Sequence, residues 1–220
     1  FAEGVLPICI GKATRLIEYL NDDKEYLATV QFGSNTDTYD LEGAITGSFD
    51  KKITEAEVVC ALQNFEGEIE QIPPVYSAIK VNGKKLYDYA RKGQEVEIQP
   101  RKVFIEKIEL KNFDEVAQTA EILVQCSKGT YIRSIAYDLG KMLCCGGHLI
   151  KLIRTKAGKF TVESSHTLEE LQKNVSDFLI NPVDIINLDK VEIQENDFAK
   201  LRNGNPIVNK TNKSNDFVIL

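Results

Sequence analysis

The chain has 220 residues, of which 43% are hydrophobic and 27% charged, with a net charge of −6. That is enough for one sizeable core, or for one domain and part of a second, and no apolar run is long enough to cross a bilayer. Glu3, Gly4 and Pro7 interrupt the apolar start and argue against a secretory leader. Five cysteines without framework spacing argue for free, mostly buried thiols in a reducing cytoplasm.

After an opening loop, Ala13, Leu16, Ile17 and Leu20 recur at the spacing of one face of an amphipathic helix. "KEYLATVQFG" then alternates, with Tyr26, Ala28, Val30 and Phe32 on one face of a strand. "NTDTYDLEGAITG" is too polar for a core element and reads as a loop of unusual length. "TEAEVVCALQNF" opens on a Thr54/Glu57 capping box and carries Val58, Ala61, Leu62 and Phe65 at helical spacing. Pro73 and Pro74 forbid a central strand before Val75. "KKLYDYARKG" is a short helix ended by Gly93.

Two long strands follow, about Lys102 to Phe113 and Thr119 to Ser127, then a helix from about Thr130 to Leu143 with Ile132, Ile135, Ala136 and Leu139 inward. "LIKLIRTKAGKFTVES" reads as strand, turn, strand, and "TLEEL" as a helix capped by Thr167 and Glu170. A domain boundary is expected near residue 187, with short strands and a "RNGNPI" turn beyond it. Helices interleaved with sequence-adjacent strands indicate an α+β domain with a mixed, mainly antiparallel sheet.

The charge is unevenly spread. Lys80 to Lys102 holds seven Lys/Arg against three Asp/Glu, and Cys126 to Phe160 holds seven against one, in an otherwise acidic chain. Two basic windows suit a local anionic partner, because a phosphate field acts over about a Debye length. Solvated lysine-rich faces would read the same way. No Gly-rich phosphate loop, dinucleotide fingerprint, H-E-x-x-H or nucleophile elbow occurs. Cys144, Cys145 and His148 lack a C-x-x-C pair or a fourth ligand, so no metal is expected. With only His148 and His166, histidine-based acid–base chemistry has little to use.

"KEYLATVQFGSNTDTYDLEG", "PPVYSAIKVNGKKLYDYARKG" and "CSKGTYIRSIAYDLG", together with "LPICIGKATRLIEYL", "GGHLIKLIRTKAGKF" and "RNGNPI", closely resemble the TruB family of tRNA pseudouridine synthases. The likeness runs over nearly the whole chain in the family's order, and is to the stand-alone bacterial type more than to guide-RNA-dependent relatives. It implies a pseudouridine synthase fold over 1–187, lacking its N-terminal segment, and an incomplete, β-rich PUA-like domain over 188–220. It further implies that a uridine in the T-loop of tRNA, position 55, becomes pseudouridine, with no cofactor and no metal. The partner would be the tRNA T-stem-loop, met by a cytoplasmic monomer needing no protein partner.

The resemblance puts the family's catalytic aspartate just before Phe1, outside this chain, so that the chain as printed would be inactive. Tyr26 matches a tyrosine that stacks on the target base, although the apolar strand face equally suits a core tyrosine. Arg133 matches the arginine that pairs with the aspartate, Tyr131 a pocket aromatic and Leu152 an apolar wall. Lys80, Lys84, Lys85, Arg91, Arg154 and Lys156 are candidate phosphate contacts. Asp37, Thr38 and Asp40 would shape the RNA cleft. The alternative is a non-catalytic module that binds or folds the T arm.

Overall fold

The computed structural model of the chain describes residues 2–20, 23–186, 188–191, 193–208 and 217–219. They divide into two units, Phe1–Pro7 with Asp22–Ser165, and Ile8–Asn21 with His166–Leu220. Residue 187, where the sequence suggests a boundary, lies outside the described residues.

The first unit contains, in chain order, β1 (Ala2–Gly4), β2 (Lys24–Phe32), β3 (Ser34–Thr36), β4 (Ile45–Ser48), α1 (Glu55–Leu62), β5 (Gly67–Gln71), β6 (Lys80–Val81), β7 (Lys84–Lys85) and α2 (Leu86–Ala90). It continues through β8 (Arg101–Asp114), β9 (Thr119–Cys126), α3 (Ile132–Met142), β10 (Gly147–Ala157) and β11 (Phe160–Thr161). One sheet has the order β1-β10-β2-β9-β8-β5, with β11 also on β10. The β1–β10 pair is parallel and the other pairs are antiparallel, so the sheet is mixed and mainly antiparallel, as the sequence indicates.

The core lies on one sheet face. Alternation along β2 puts Ala28, Val30 and Phe32 into it, opposite the alternating Ala120 and Ile122 of β9. Val58, Ala61 and Leu62 of α1, with Phe65 beyond it, and Ile132, Ile135, Ala136 and Leu139 of α3 complete it. Full burial of each larger side chain contributes about 1.5–3 kcal/mol. The capping box of α1 is formed: Glu57 N donates to Thr54 Oγ1 at 3.3 Å, and Thr54 N to Glu57 Oε2 at 2.9 Å. The bonds from Thr54 N and from the Thr54 hydroxyl, at 3.0 Å, to the charged carboxylate hold Glu57 below its usual range. Gly140 of α3 lies so close to Gly146 and Gly147 that a Cβ would overlap their backbone, which lets α3 sit tightly on β10.

Several expectations are corrected. The start is not all loop, because Ala2–Gly4 joins the sheet edge as β1. The polar segment after β2 is a short hairpin, β3 with β4, around a turn. β5 is an additional strand, whose "GEIEQ" is too short and acidic to show a pattern in the sequence. The five thiols are not mostly buried: Cys126 and Cys145 are, Cys9 is half-buried, and Cys60 and Cys144 are exposed.

In the second unit, the expected amphipathic helix is a 3-10 helix, Gly11–Tyr19, with no buried residue. At three residues per turn Ala13 and Leu16 align and stay half-buried, whereas Ile17 turns out and is exposed. Thr167 and Glu170 do cap α4 (Leu168–Leu171), and α5 (Pro182–Ile185) follows. Beyond residue 187 the pair β12 (Asp189–Val191) and β13 (Phe217–Ile219) is joined by a helix, α6 (Glu195–Arg202), not by strands alone. Its acids at the front and Lys200 and Arg202 at the back match the helix dipole.

Candidate active site

Tyr26 stands at the end of the apolar stripe of β2, opposite Val124 of β9 and Arg154 of β10. Directly paired residues share a sheet face, so Tyr26, Arg154 and Leu152, which pairs with Ala28, face the side on which α3 packs. Burial pushes the Tyr26 hydroxyl above its ordinary value, and the neighbouring Arg154 draws it partly back. Arg154 Nε also donates to Val5 O at 2.6 Å, tying the end of β1 to this row.

Two irregularities in β10 decide which side chains join this face. The shift between Leu149 and Lys151 keeps Leu149 and Leu152 on one side in spite of their odd spacing. A second shift, between Arg154 and Lys156, pairs Lys156 with Glu25. Arg154 and Lys156 therefore point to opposite faces, although their spacing of two would align them in a regular strand.

Arg133 lies in the first turn of α3, where its charge opposes the helix dipole. Its NH1 group donates to Asp40 Oδ2 at 2.9 Å and to Thr38 O at 3.2 Å, and its NH2 group to Tyr76 O at 2.9 Å. The Asp40 side chain is 6% exposed and that of Arg133 22%. Asp40 Oδ1 accepts from Thr38 Oγ1 at 2.6 Å and from Glu42 N at 3.1 Å, and Asp37 Oδ1 accepts from Ala44 N at 2.9 Å. The loop between β3 and β4, residues 37–44, is thus braced by its own side chains. Asp40 is also bridged to Leu149 of β10. Arg133 has five N–H donors, of which three are engaged among the described residues, and two are left for a further acceptor.

Tyr131, the N-cap of α3, is held through its backbone by buried Gln71 at the end of β5. The basic arm stands on β6, β7 and α2. Lys80, Lys84 and Arg91 are exposed there, and Lys85 is half-buried. Lys85 Nζ donates to the Tyr87 hydroxyl at 3.0 Å and lies 5.2 Å from the ring centre, and the Arg91 guanidinium lies 5.4 Å from it. One aromatic ring therefore organises two of the candidate cations.

The structure brings Tyr26, Leu152 and Arg154 onto one face, and Arg133, Asp40 and Thr38 into one network. Among the described residues no hydrogen bond joins Tyr26 to Arg133. Gln71, Tyr76 and Tyr137 carry no signal in the sequence, because their parts here are a backbone clamp, a carbonyl and the stacking of the Tyr137 ring on Tyr39. Two open grooves of about 490 and 470 Å³ lie along α1 and β8, away from these side chains. Among the described residues no three His, Cys, Asp or Glu are grouped to hold a metal ion. No helix among them is long and apolar enough to cross a membrane.

Residues 1–132 match the family model described as "TruB family pseudouridylate synthase (N terminal domain)", and residues 133–186 that of the "tRNA pseudouridylate synthase B C-terminal domain". The chain is 45% identical to a tRNA pseudouridine synthase B of Caldanaerobacter subterraneus subsp. tengcongensis, covering all of this chain and 77% of that one. It is 43% identical to one from Chromobacterium violaceum, over 94% of this chain and 69% of the relative. Among solved structures it resembles a chain in the crystal structure of a Cbf5–Nop10–Gar1 complex, with a TM-score of 0.66 and 25% identity over 92% of this chain. The chain spans 55% of that structure's length.

Proposed function

Because the chain belongs to the TruB family of pseudouridylate synthases, we propose that the protein isomerises a uridine of tRNA to pseudouridine, and that this is the T-loop uridine at position 55. The C1′–N1 bond breaks, the base turns, and a C1′–C5 bond forms. N1 takes up a proton and C5 releases one, so the reaction balances without a reductant or a metal. The target must first leave its stack, where Tyr26 offers an aromatic face and Leu152 an apolar wall.

The observation that carries this reading is the Arg133 guanidinium, which is partly buried and, among the described residues, still has donors to give. A carboxylate accepting them would be kept ionised and oriented for attack at the sugar. On this reading the carboxylate is the aspartate of an Asp-Pro pair just upstream of Phe1. β1 supports it: Ala2 pairs with Leu152, and along β10 the way back from Leu152 leads to Leu149, which is bridged to Asp40. The enzyme acts as a cytoplasmic monomer on the T-stem-loop.

The test uses the full-length protein and a T-loop hairpin carrying uridine tritiated at C5. Release of tritium to water is expected, and none from a well-folded protein overturns the reading. The codons before Phe1 test the position of the aspartate. The exposed lysines of the β6–β7 hairpin favour a second reading, a module that holds the T arm without modifying it. It requires salt-sensitive hairpin binding without turnover.

A further inference from the structure

Arg133 and Tyr137 stand one helical turn apart on α3, and both reach the same turn of chain. Arg133 holds Thr38 O and Asp40 Oδ2. The Tyr137 ring stacks on Tyr39, the residue between those two, with centroids 4.1 Å apart and planes at 16°. Tyr39 has φ +63, a left-handed conformation uncomfortable for a side chain of its size. Its backbone is fixed on both sides, Tyr39 N donating to Thr36 O at 3.3 Å and Leu149 N donating to Tyr39 O at 3.0 Å. A large ring kept at such a position calls for a compensating contact, and Tyr137 supplies one.

We propose that Tyr39 and Tyr137 are positioning residues: their stack is a second grip of α3 on this turn, setting the angle at which Asp40 meets Arg133. The proposal rests on the isomerase reading above. Their assigned role is to act through Asp40 and not on the reacting atoms. Without the stack the turn is held to α3 by hydrogen bonds alone, which tolerate rocking about the Arg133 guanidinium, and small misplacements at a reacting centre are costly. Burial, with Tyr137 and Asp138 nearby, raises the Tyr39 hydroxyl above its ordinary value, so the residue serves as a neutral ring.

The test compares Tyr137→Ala, Tyr137→Phe and Tyr39→Gly in the full-length protein. Tyr137→Ala and Tyr39→Gly should lower kcat about fivefold, with KM for the hairpin within about twofold. Tyr137→Phe should restore most of that loss, since the ring and not the hydroxyl makes the grip. Tyr39→Gly keeps its melting temperature, because glycine accepts the left-handed backbone, which separates lost positioning from lost stability. Backbone amide exchange over residues 36–44 should rise about tenfold in Tyr137→Ala while that of β2 stays unchanged. In an active wild type, unchanged kcat in Tyr137→Ala or Tyr39→Gly overturns the proposal. A wild type that releases no tritium overturns the isomerase reading instead, and unchanged exchange over the turn then overturns the grip on its own.

Discussion

The Gln71 side chain clamps the backbone of Tyr131: its Oε1 accepts from Tyr131 N at 2.7 Å and its Nε2 donates to Tyr131 O at 3.0 Å. The two residues are far apart in sequence, and the clamp fixes where α3 begins and thus where Arg133 points. Gln71→Leu keeps the volume but strands Tyr131 N, while Tyr131 O keeps its bond from Ile135 N at 3.2 Å, and the stranded donor should cost about 1–3 kcal/mol. Equilibrium urea unfolding measures it, and a midpoint equal to wild type would show that the clamp adds nothing.

Arg133→Ala in the full-length enzyme should lower kcat roughly 100-fold, the scale of losing one charged partner of a reacting group. Hairpin affinity should stay within about threefold, because Arg133 is turned inward towards Asp40 and two carbonyls. Tritium release and a filter-binding titration separate the two quantities. Comparable losses in both would count against a place beside the carboxylate.

The irregularity between Arg154 and Lys156 separates two cations that look equivalent in the sequence. If RNA lies on the α3 face, Arg154→Ala should reduce the slope of log affinity against log salt by about 1, and Lys156→Ala should leave it unchanged. Hairpin binding over a range of KCl concentrations decides this. Equal reductions would mean that RNA does not keep to one face.

Burial pushes the Cys126 and Cys145 thiols up to about 11. At pH 8 each then holds only about a thousandth of its population as thiolate, whereas Cys60 and Cys144 are exposed. Brief alkylation of the native protein followed by mass mapping should label Cys60 and Cys144 first. The sign of the linked pH effect follows. Above about pH 8.5 the unfolded chain gives up these protons while the folded chain keeps them, so stability falls as pH rises towards 11. A flat stability profile across that window would show that the two thiols ionise alike in both states.

Where neighbours along the chain govern the outcome, the sequence is readable. The alternation of β2, the capping box of α1 and the inward stripe of α3 are repeats of a few residues, imposed by the periods of strand and helix. β1 and β5 are too short to show a period, and α6 is marked by charges matched to its dipole and not by an apolar stripe. Tyr26, Arg133 and Leu152 were reachable only because their surrounding motifs resemble a family.

By itself, then, the sequence determined the periodic elements such as β2, α1 and α3, the polar character of the Asp37–Asp40 turn and the membership that its motifs announce. Only the tertiary structure decided that Arg133 closes on Asp40, that Tyr137 stacks on Tyr39, and that Arg154 and Lys156 part company across the sheet. Those outcomes depend on how distant segments are brought side by side and on single-residue slips in strand register. Such a slip turns every later side chain over without altering the composition around it.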